Sequence, residues 1–249
     1  MGDIMKQVLY TVKSNERIAN DVYRMELMGD TSPITAPGQF VNLKLDGFYL
    51  RRPISVCDCC EGLLAIIYKV VGGGTEAMSK MKPGEIIDTL SGLGNGYDTS
   101  KSGDAPMLVG GGVGVPPMYM LAKKLIAEGR KVTAVLGFNS KGDVFYENEF
   151  KALGADVYIA TADGSYGVKG FVTDVIKDID YSFFYTCGPE PMFRAMAKVM
   201  KTKGQYSFEE RMGCGFGACM GCSCKTLTGN KRICREGPVM DSDEIIWER

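Results

Sequence analysis

The chain has 249 residues, which is enough for one or two domains with their own hydrophobic cores. It contains no histidine, which excludes Ser-His-Asp and Cys-His catalysis, histidine-ligated zinc, haem held by a proximal histidine and Rieske centres. Its 29 basic and 30 acidic residues nearly cancel and form no basic stripe, so nucleic acid is not an expected partner. We expect a cytoplasmic protein without a membrane partner, because the chain has neither a long apolar run nor a signal-peptide pattern.

Residues 1–100 are predicted to form a small antiparallel β-barrel. Short apolar or alternating runs, several with β-branched residues, alternate there with turn residues such as Pro37-Gly38. The predicted strands cover residues 8–12, 22–27, 40–45, 54–57, 63–71 and 86–90. A short helix is predicted over residues 75–81, with Thr75 as its N-cap.

Residues 101–205 show a different pattern, in which apolar strands alternate with helical runs. The predicted strands cover residues 107–109, 132–137, 157–160 and 183–186. The predicted helices cover residues 117–128, 147–153, 171–176 and 190–203. This alternation is typical of βαβ units, so we predict a Rossmann-like α/β domain with a parallel sheet.

The tail, residues 206–249, is too short for a third independent core and would need a metal to be ordered. It holds five of the nine cysteines, and four have the spacing Cys214-x4-Cys219-x2-Cys222-x11-Cys234. That spacing is typical of plant-type [2Fe–2S] proteins. The alternative is structural zinc, although zinc sites usually carry two cysteine knuckles and only one is present here. Cys224, two residues after Cys222, could replace one of these ligands, but we expect it to be a strand residue that points away from the metal.

A glycine run between a predicted strand and a predicted helix indicates a dinucleotide site. Gly110, Gly112 and Gly114 lie where a pyrophosphate would meet helix N-terminal N–H groups. Prolines end the run, so it is not a strict G-x-G-x-x-G, and a turn without a ligand is the alternative. Cys187-Gly188-Pro189 follows a later strand of the same predicted sheet. Taken alone, Cys187 is better explained as a small buried hydrophobic residue.

The predicted barrel has its own phosphate-binding candidates. Arg52 could hold a phosphate through its charge and its fork of donors, and Ser55 could donate to a ring or a phosphate. Gly74 and Thr75 belong to a Gly-Gly-Gly-Thr run that could form a second phosphate nest. The alternative for Arg51 and Arg52 is a solvated arginine pair.

The order of these features resembles the ferredoxin reductase-like superfamily, in which an FAD-binding barrel precedes an NAD(P)-binding domain. Residues 52–55, Arg-Pro-Ile-Ser, are similar to its Arg-x-Tyr-Ser flavin motif, with Ile54 in place of the tyrosine. The glycine run and Cys187-Gly188-Pro189 resemble its two nicotinamide-domain signatures. The cysteine segment, preceded by Glu-Glu-Arg-Met-Gly, is similar to that of the electron-transfer subunits of class 1B dihydroorotate dehydrogenases. This resemblance covers essentially the whole chain.

The resemblance implies three cofactors, FAD, a [2Fe–2S] cluster and NAD. The implied FAD contacts are Arg52, Pro53, Ile54, Ser55, Ile67, Tyr68, Lys69, Gly74 and Thr75. The implied NAD contacts are Gly110, Gly112, Gly114, Cys187, Gly188 and Pro189, and the implied cluster ligands are Cys214, Cys219, Cys222 and Cys234.

The resemblance also implies a function in pyrimidine biosynthesis. The chain would relay electrons between NAD(H) and the FMN of a separate dihydroorotate dehydrogenase catalytic subunit, in a heterotetramer with two copies of each subunit. One alternative is a subunit of the NAD(P)H-dependent ferredoxin oxidoreductase or sulfide dehydrogenase type, in which an aspartate replaces the first cysteine ligand. The other is a nucleotide-binding module stabilised by zinc. Cys57, Cys59 and Cys60 are expected only to form a buried strand and turn.

Overall fold

A computed structural model describes residues 5–247 of the chain. Its N-terminal half is a closed antiparallel barrel of six strands in the order β1-β2-β5-β4-β3-β6. The strands are β1 Lys6–Ala19, β2 Val22–Met28, β3 Phe40–Leu43, β4 Arg52–Cys60, β5 Leu63–Lys69 and β6 Ile86–Leu93. The predicted barrel is therefore confirmed. β1 is longer than predicted, because its polar second half pairs with β2.

Alternation along the strands fills the barrel with aliphatic side chains. Val41 and Leu43 of β3 pack in the interior with Leu64 and Ile66 of β5. β3 differs from an ordinary barrel strand because all four of its residues are buried. Its outer face is therefore covered by another part of the chain.

The short helix α1, Gly73–Ser79, begins two residues before the prediction. The N-cap is Gly72, so the assignment of Thr75 as N-cap is wrong. Thr75 instead caps the helix from inside its first turn, because its hydroxyl oxygen accepts hydrogen bonds from the backbone N–H groups of Val71 at 2.9 Å and Gly72 at 3.3 Å.

The second half is a seven-stranded sheet in the order β10-β9-β8-β7-β11-β12-β15. Its strands are β7 Met107–Gly111, β8 Thr133–Phe138, β9 Asp156–Thr161, β10 Val168–Lys169, β11 Phe184–Cys187, β12 Gly204–Ser207 and β15 Val239–Asp241. The helices are α2 Val115–Ala127, α3 Glu147–Leu153, α4 Val172–Ile176 and α5 Glu190–Ala197. All pairs except β12 with β15 are parallel, which confirms the predicted α/β half.

Two helix boundaries in this half differ from the prediction by more than one residue. α2 begins at Val115, because Pro116 and Pro117 occupy first-turn positions where a missing N–H costs no helical hydrogen bond. α5 ends at Ala197, six residues early, since the chain must leave the helix to enter β12 at Gly204. No helix among residues 5–247 combines the length and apolar character needed to cross a bilayer.

The cysteine tail is joined to both halves of the protein. It contains a small hairpin of β13, Ser223–Thr226, and β14, Gly229–Arg232, which places Cys224 in a strand as predicted. The expectation that Cys224 points away is wrong, because its side chain packs against the apolar cluster that contains Cys222 and Cys234. After the hairpin, β15 pairs antiparallel with β12 at the edge of the parallel sheet. The tail also covers the outer face of β3, because Cys222 and Cys234 pack against Phe40.

Candidate functional site

A cavity of about 630 Å³ lies at the carboxyl ends of the central strands of the parallel sheet. β7 has β8 on one side and β11 on the other, so this edge is a topological switch point. Ligands of open α/β sheets bind at such points. The cavity is bordered by both predicted signatures and by the barrel; its lining includes Lys69, Gly111, Gly112, Gly114, Phe138, Gly188, Pro189 and Glu209.

The glycine run and the segment Cys187-Gly188-Pro189 are in direct contact, so together they can form one binding site. A Cβ atom on Gly114 would lie 2.2 Å from the Cys187 carbonyl oxygen, so only glycine allows this approach. Gly112 has a φ of +54° and open space around its Cα, facing a part of the cavity where a ligand could come close to the backbone. Gly110 packs against Val115 and supports the turn into α2.

Cys187 itself does not line the cavity. Its side chain is 1% exposed and lies in the core between the sheet and α2. Burial raises the pKa of its thiol well above the ordinary value, and the charge of nearby Glu209 adds to this effect, against a hydrogen bond from Ser207. The thiol is therefore neutral, and only the backbone that follows it borders the cavity.

On the barrel, Arg52 and the glycine nest meet although they are distant in sequence. A Cβ atom on Gly74 would lie 2.1 Å from Arg52 Nε, and the guanidinium lies 4.8 Å from the centroid of the Phe48 ring. Arg51 is different, because it forms a 3.0 Å ion pair with Asp88. The idea of a solvated arginine pair is therefore wrong for Arg51, and Arg52 is the arginine beside the nest.

The three predicted FAD contacts on β5, Ile67, Tyr68 and Lys69, have different surroundings. Tyr68 points into the barrel, where its hydroxyl donates to Asn15 Oδ1 at 2.9 Å and burial raises its pKa. Ile67 is buried on the side that packs towards α2. Lys69 lines the large cavity. Of the three, only Lys69 offers its side chain to a ligand, and Ile67 and Tyr68 could contribute through their backbone.

The β4 candidates alternate along the strand, with Ile54 packed against the barrel interior. Pro53 is opposite Asn42 and Ser55 is opposite Phe40 on β3. Further along β4, Cys57 is fully buried and Cys60 is exposed. The predicted strand and turn are confirmed, with the turn beginning after Cys60, but of the three cysteines in this segment only Cys57 is buried.

The four predicted ligand thiols form two pairs. The Cys222 and Cys234 sulfurs are 3.3 Å apart and buried. Cys214 and Cys219 form the other pair, and the backbone N–H groups of Ala218 and Cys219 donate to the Cys214 sulfur at 3.2 and 3.4 Å. Among residues 5–247, no group of three or more His, Cys, Asp or Glu side chains converges on a single metal ion. The two pairs of thiols, once deprotonated, would suit a cluster of two irons.

Backbone donors favour the thiolate form of Cys214, whereas burial opposes it at Cys234. Partial burial opposes ionisation of Cys214, but N–H groups of Cys219 and Phe216 donate to its sulfur and lower its pKa to about 6. Burial raises the pKa of Cys234 to about 12, and the adjacent Cys222 thiol adds to the rise. Iron would displace the proton from such a thiol. Thiolate ligands surrounded by N–H donors are the environment in which [2Fe–2S] clusters are held, so the residues present fit this group.

The structure reveals two site residues on β3 that sequence reasoning missed. Phe40 packs with Leu93 against the buried pair of ligand cysteines. Asn42 is 1% exposed, and its Nδ2 donates to the Cys214 carbonyl oxygen at 3.2 Å. The available signal was an asparagine between the apolar residues Val41 and Leu43 of a predicted strand.

A six-stranded barrel, a parallel sheet with a switch-point cavity and a cysteine segment define an NAD-linked oxidoreductase with a ferredoxin reductase-like fold. Residues 108–198 match the oxidoreductase NAD-binding domain, and residues 209–246 match the iron–sulfur cluster binding domain of dihydroorotate dehydrogenase B. The chain belongs to the family of electron-transfer subunits of dihydroorotate dehydrogenase B (NAD(+)).

Relatives from several organisms support this membership. The subunit of Geobacillus sp. (strain WCH70) is 45% identical, with 98% of this chain and 100% of the relative covered. That of Bacillus pumilus (strain SAFR-032) is 47% identical, with coverages of 97% and 98%. Among solved structures, a NADH-dependent reduced ferredoxin-NADP oxidoreductase superposes with a TM-score of 0.86 at 30% identity, covering 96% of this chain and 90% of the other.

These matches confirm the predicted family and class of oxidoreductase, and they support the predicted set of FAD, [2Fe–2S] and NAD. The assignment of individual contact residues, and the limits 1–100, 101–205 and 206–249, stay predictions.

Proposed function

We propose that this chain relays electrons between NAD(H) and the FMN of a dihydroorotate dehydrogenase catalytic subunit, as part of pyrimidine biosynthesis. One observation carries the proposal: the cysteine segment contacts the barrel and the parallel sheet at once. Cys222 and Cys234 pack on Phe40 of β3, and β15 pairs with β12 of the sheet. The cysteine segment is thus packed against both halves of the protein that carry the other predicted cofactor sites.

The work of the chain itself is to bind and to place its cofactors. Gly110, Gly112, Gly114, Gly188 and Pro189 would hold the NAD pyrophosphate and its surroundings at the sheet cavity. The barrel residues Arg52, Pro53, Ile54, Ser55, Ile67, Tyr68, Lys69, Gly74 and Thr75 would hold FAD. Cys214, Cys219, Cys222 and Cys234 would ligate the cluster. When bound, the flavin exchanges electrons singly or in pairs and the cluster carries them singly.

Two residue arrangements support the flavin assignment. Arg52 is held against Gly74 and Phe48, so its guanidinium stands beside the N-terminal end of α1, where a phosphate would find N–H donors. Lys69 extends from the same barrel into the cavity of the sheet. Together they place positive charge along a path from the nest to the dinucleotide cavity.

The assembly is also part of the proposal. An electron-transfer subunit requires a catalytic partner, and we propose a cytoplasmic heterotetramer with two copies of each. The domain limits 1–100, 101–205 and 206–249 would then correspond to the FAD, NAD and cluster units of each electron-transfer subunit.

Anaerobic titration of the purified chain with NADH tests the relay. We expect the flavin absorption to bleach and the cluster to be reduced, and dihydroorotate-dependent reduction of NAD⁺ to appear when an FMN-containing catalytic subunit is added. A colourless protein that contains zinc and no iron would refute the proposal. Reduction by NADH without any dihydroorotate-dependent activity would favour the ferredoxin oxidoreductase type.

The neighbouring arginines offer a matched test of the flavin site. We expect Arg52→Ala to weaken FAD binding by at least about tenfold, which corresponds to about 1.4 kcal/mol. Arg51→Ala removes the ion pair with Asp88 and should lower stability while FAD affinity stays within about twofold. Equal loss of FAD in both variants would contradict the assignment of Arg52.

A further inference from the structure

Asn42 links the barrel to residues 214–222, the cluster loop, which carries three of the four predicted cluster ligands. The link uses only the nitrogen end of the Asn42 side-chain amide. Asn42 lies on β3, opposite Pro53 of β4, and its Nδ2 donates to the carbonyl oxygen of Cys214 at 3.2 Å. The next residue along the loop is Gly215, where a Cβ atom would lie 2.3 Å from that same nitrogen. The cluster loop can therefore come this close to Asn42 only because residue 215 is a glycine.

The other half of the amide has no partner. Asn42 Oδ1 is buried and accepts no hydrogen bond from any residue between 5 and 247. Rotating the amide by half a turn would not help, because the oxygen would then face the Cys214 carbonyl, and two acceptors repel. A buried unpaired acceptor costs free energy, and such groups in native proteins usually meet a ligand or water.

The surroundings of Asn42 indicate what supplies the missing donor. On one side Asn42 faces the predicted flavin segment, since Pro53 of β4 is its cross-strand neighbour. On the other side is a predicted cluster ligand. A cluster of iron and sulfide offers no hydrogen-bond donor, whereas a flavin dinucleotide carries N–H and hydroxyl groups.

We propose that Asn42 is a positioning residue that couples the two sites: Nδ2 holds the Cys214 end of the cluster loop, and Oδ1 accepts a hydrogen bond from an N–H or hydroxyl group of bound FAD. This inference rests on the proposed function, because it requires both cofactors in one chain. Loss of Asn42 then affects the cluster through the loop and the flavin through the lost acceptor.

Two substitutions separate the two halves of the amide. As an ionised carboxylate, the side chain of Asn42→Asp keeps an acceptor oxygen and has no hydrogen to donate to Cys214. Asn42→Leu has a similar size and removes both the donor and the acceptor. In purified protein loaded with FAD and cluster, we expect Asn42→Asp to alter the EPR g values and the midpoint potential of the cluster, with FAD affinity within about twofold of wild type. Asn42→Leu should alter the cluster in the same way and weaken FAD binding by about tenfold.

Asn95 provides a matched control, because it binds the same tail with both halves of its amide satisfied. Its Nδ2 donates to the Val239 carbonyl at 2.8 Å, and its Oδ1 accepts from the Val239 N–H at 3.1 Å. Asn95→Leu should lower the melting temperature and leave the EPR spectrum and FAD affinity unchanged. If a buried aspartate prevents folding, Asn42→Ser, with a shorter side chain, is expected to show the same cluster shift.

The outcomes distinguish the inference from the proposed function. If wild-type protein holds no flavin or no cluster, the proposed function fails. If wild type holds both and the Asn42 variants match it in EPR, potential and FAD affinity, only the positioning role fails. A loss of FAD affinity in Asn42→Leu that Asn95→Leu reproduces would also overturn the role, because the effect would then be structural.

Discussion

Gly114 lies against the carbonyl group of Cys187, so closely that a Cβ atom on the glycine would be 2.2 Å from the carbonyl oxygen. Cys187 ends β11, whereas Gly114 lies in the turn between β7 and α2, and the two segments are far apart in sequence. Their contact joins the glycine run to the Cys-Gly-Pro segment and forms one wall of the switch-point cavity. The cavity therefore depends on a backbone approach that only glycine permits.

Gly114→Ala is expected to push these two segments apart. We expect a loss of about 2–3 kcal/mol in the free energy of unfolding and a melting temperature lower by roughly 5–10 °C. NADH should bind about tenfold more weakly because the cavity wall is displaced. Calorimetry and NADH titration measure both effects. As a control, Gly62→Ala, at a barrel turn with a φ of +73° and open surroundings, should cost about 1 kcal/mol without changing NADH affinity. Wild-type behaviour of Gly114→Ala would contradict the role of this contact.

The ligand cysteines can be distinguished from the other cysteines by substitution. Cys219→Ser and Cys222→Ser should each abolish the visible and EPR signals of the cluster, with iron falling well below about two per chain. Cys60→Ser is the control, because Cys60 is exposed on β4 of the barrel. Cys224→Ser should also keep the cluster, because Cys224 lies outside the four-cysteine spacing typical of [2Fe–2S] proteins. Loss of iron in Cys224→Ser with retention in Cys219→Ser would mean that the ligand set is wrong.

Glu26 is expected to give the barrel a pH-dependent stability. Burial opposes ionisation of this carboxyl, but ion pairs with Arg24 at 2.7 Å and Lys13 at 3.2 Å outweigh it and lower the pKa. Since the folded-state pKa lies below the unfolded value of about 4.3, the stabilisation is complete above that pH and is lost as the pH falls through the folded-state pKa.

Urea unfolding of Glu26→Gln as a function of pH checks this behaviour. The variant should be about 1 kcal/mol less stable than wild type near neutral pH, and the gap should close in acid. Glu149→Gln, at an exposed position on α3, is the control and should unfold like wild type at each pH. A gap that stays constant into acid would show that Glu26 acts through packing and not through its charge.

Lys123 of α2 and Asp58 of β4 form an ion pair at 2.7 Å between the sheet half and the barrel. Both side chains are partly exposed, so we expect a coupling of about 0.5–1 kcal/mol in a double-mutant cycle of Lys123→Met and Asp58→Asn. High salt should reduce the coupling, because screening weakens exposed pairs. Additive effects of the two substitutions would show that this pair does not hold the halves together.

Local patterns in the sequence were enough to predict the class of fold and the cluster loop. Alternation of apolar residues depends only on the repeat of a strand, and the change to strand–helix alternation near residue 100 marks the second half. Cluster ligands lie close together in the chain, so their spacing is itself the chemical signal. The prediction of Thr75 as an N-cap is wrong, because the glycines before it decide where α1 begins. The predicted end of α5 is wrong, because the entry into β12 ends that helix early.

By itself, the sequence determined that this protein has a barrel, a parallel sheet and four cysteines with iron–sulfur spacing, and that its chemistry proceeds without histidine. Only the tertiary structure decided which residues meet. Arg52 lies beside Gly74, Gly114 lies against Cys187, and Asn42 holds the carbonyl of Cys214 from 172 residues away. The physical reason is that such contacts arise from strand order and packing between elements, which no local periodicity encodes.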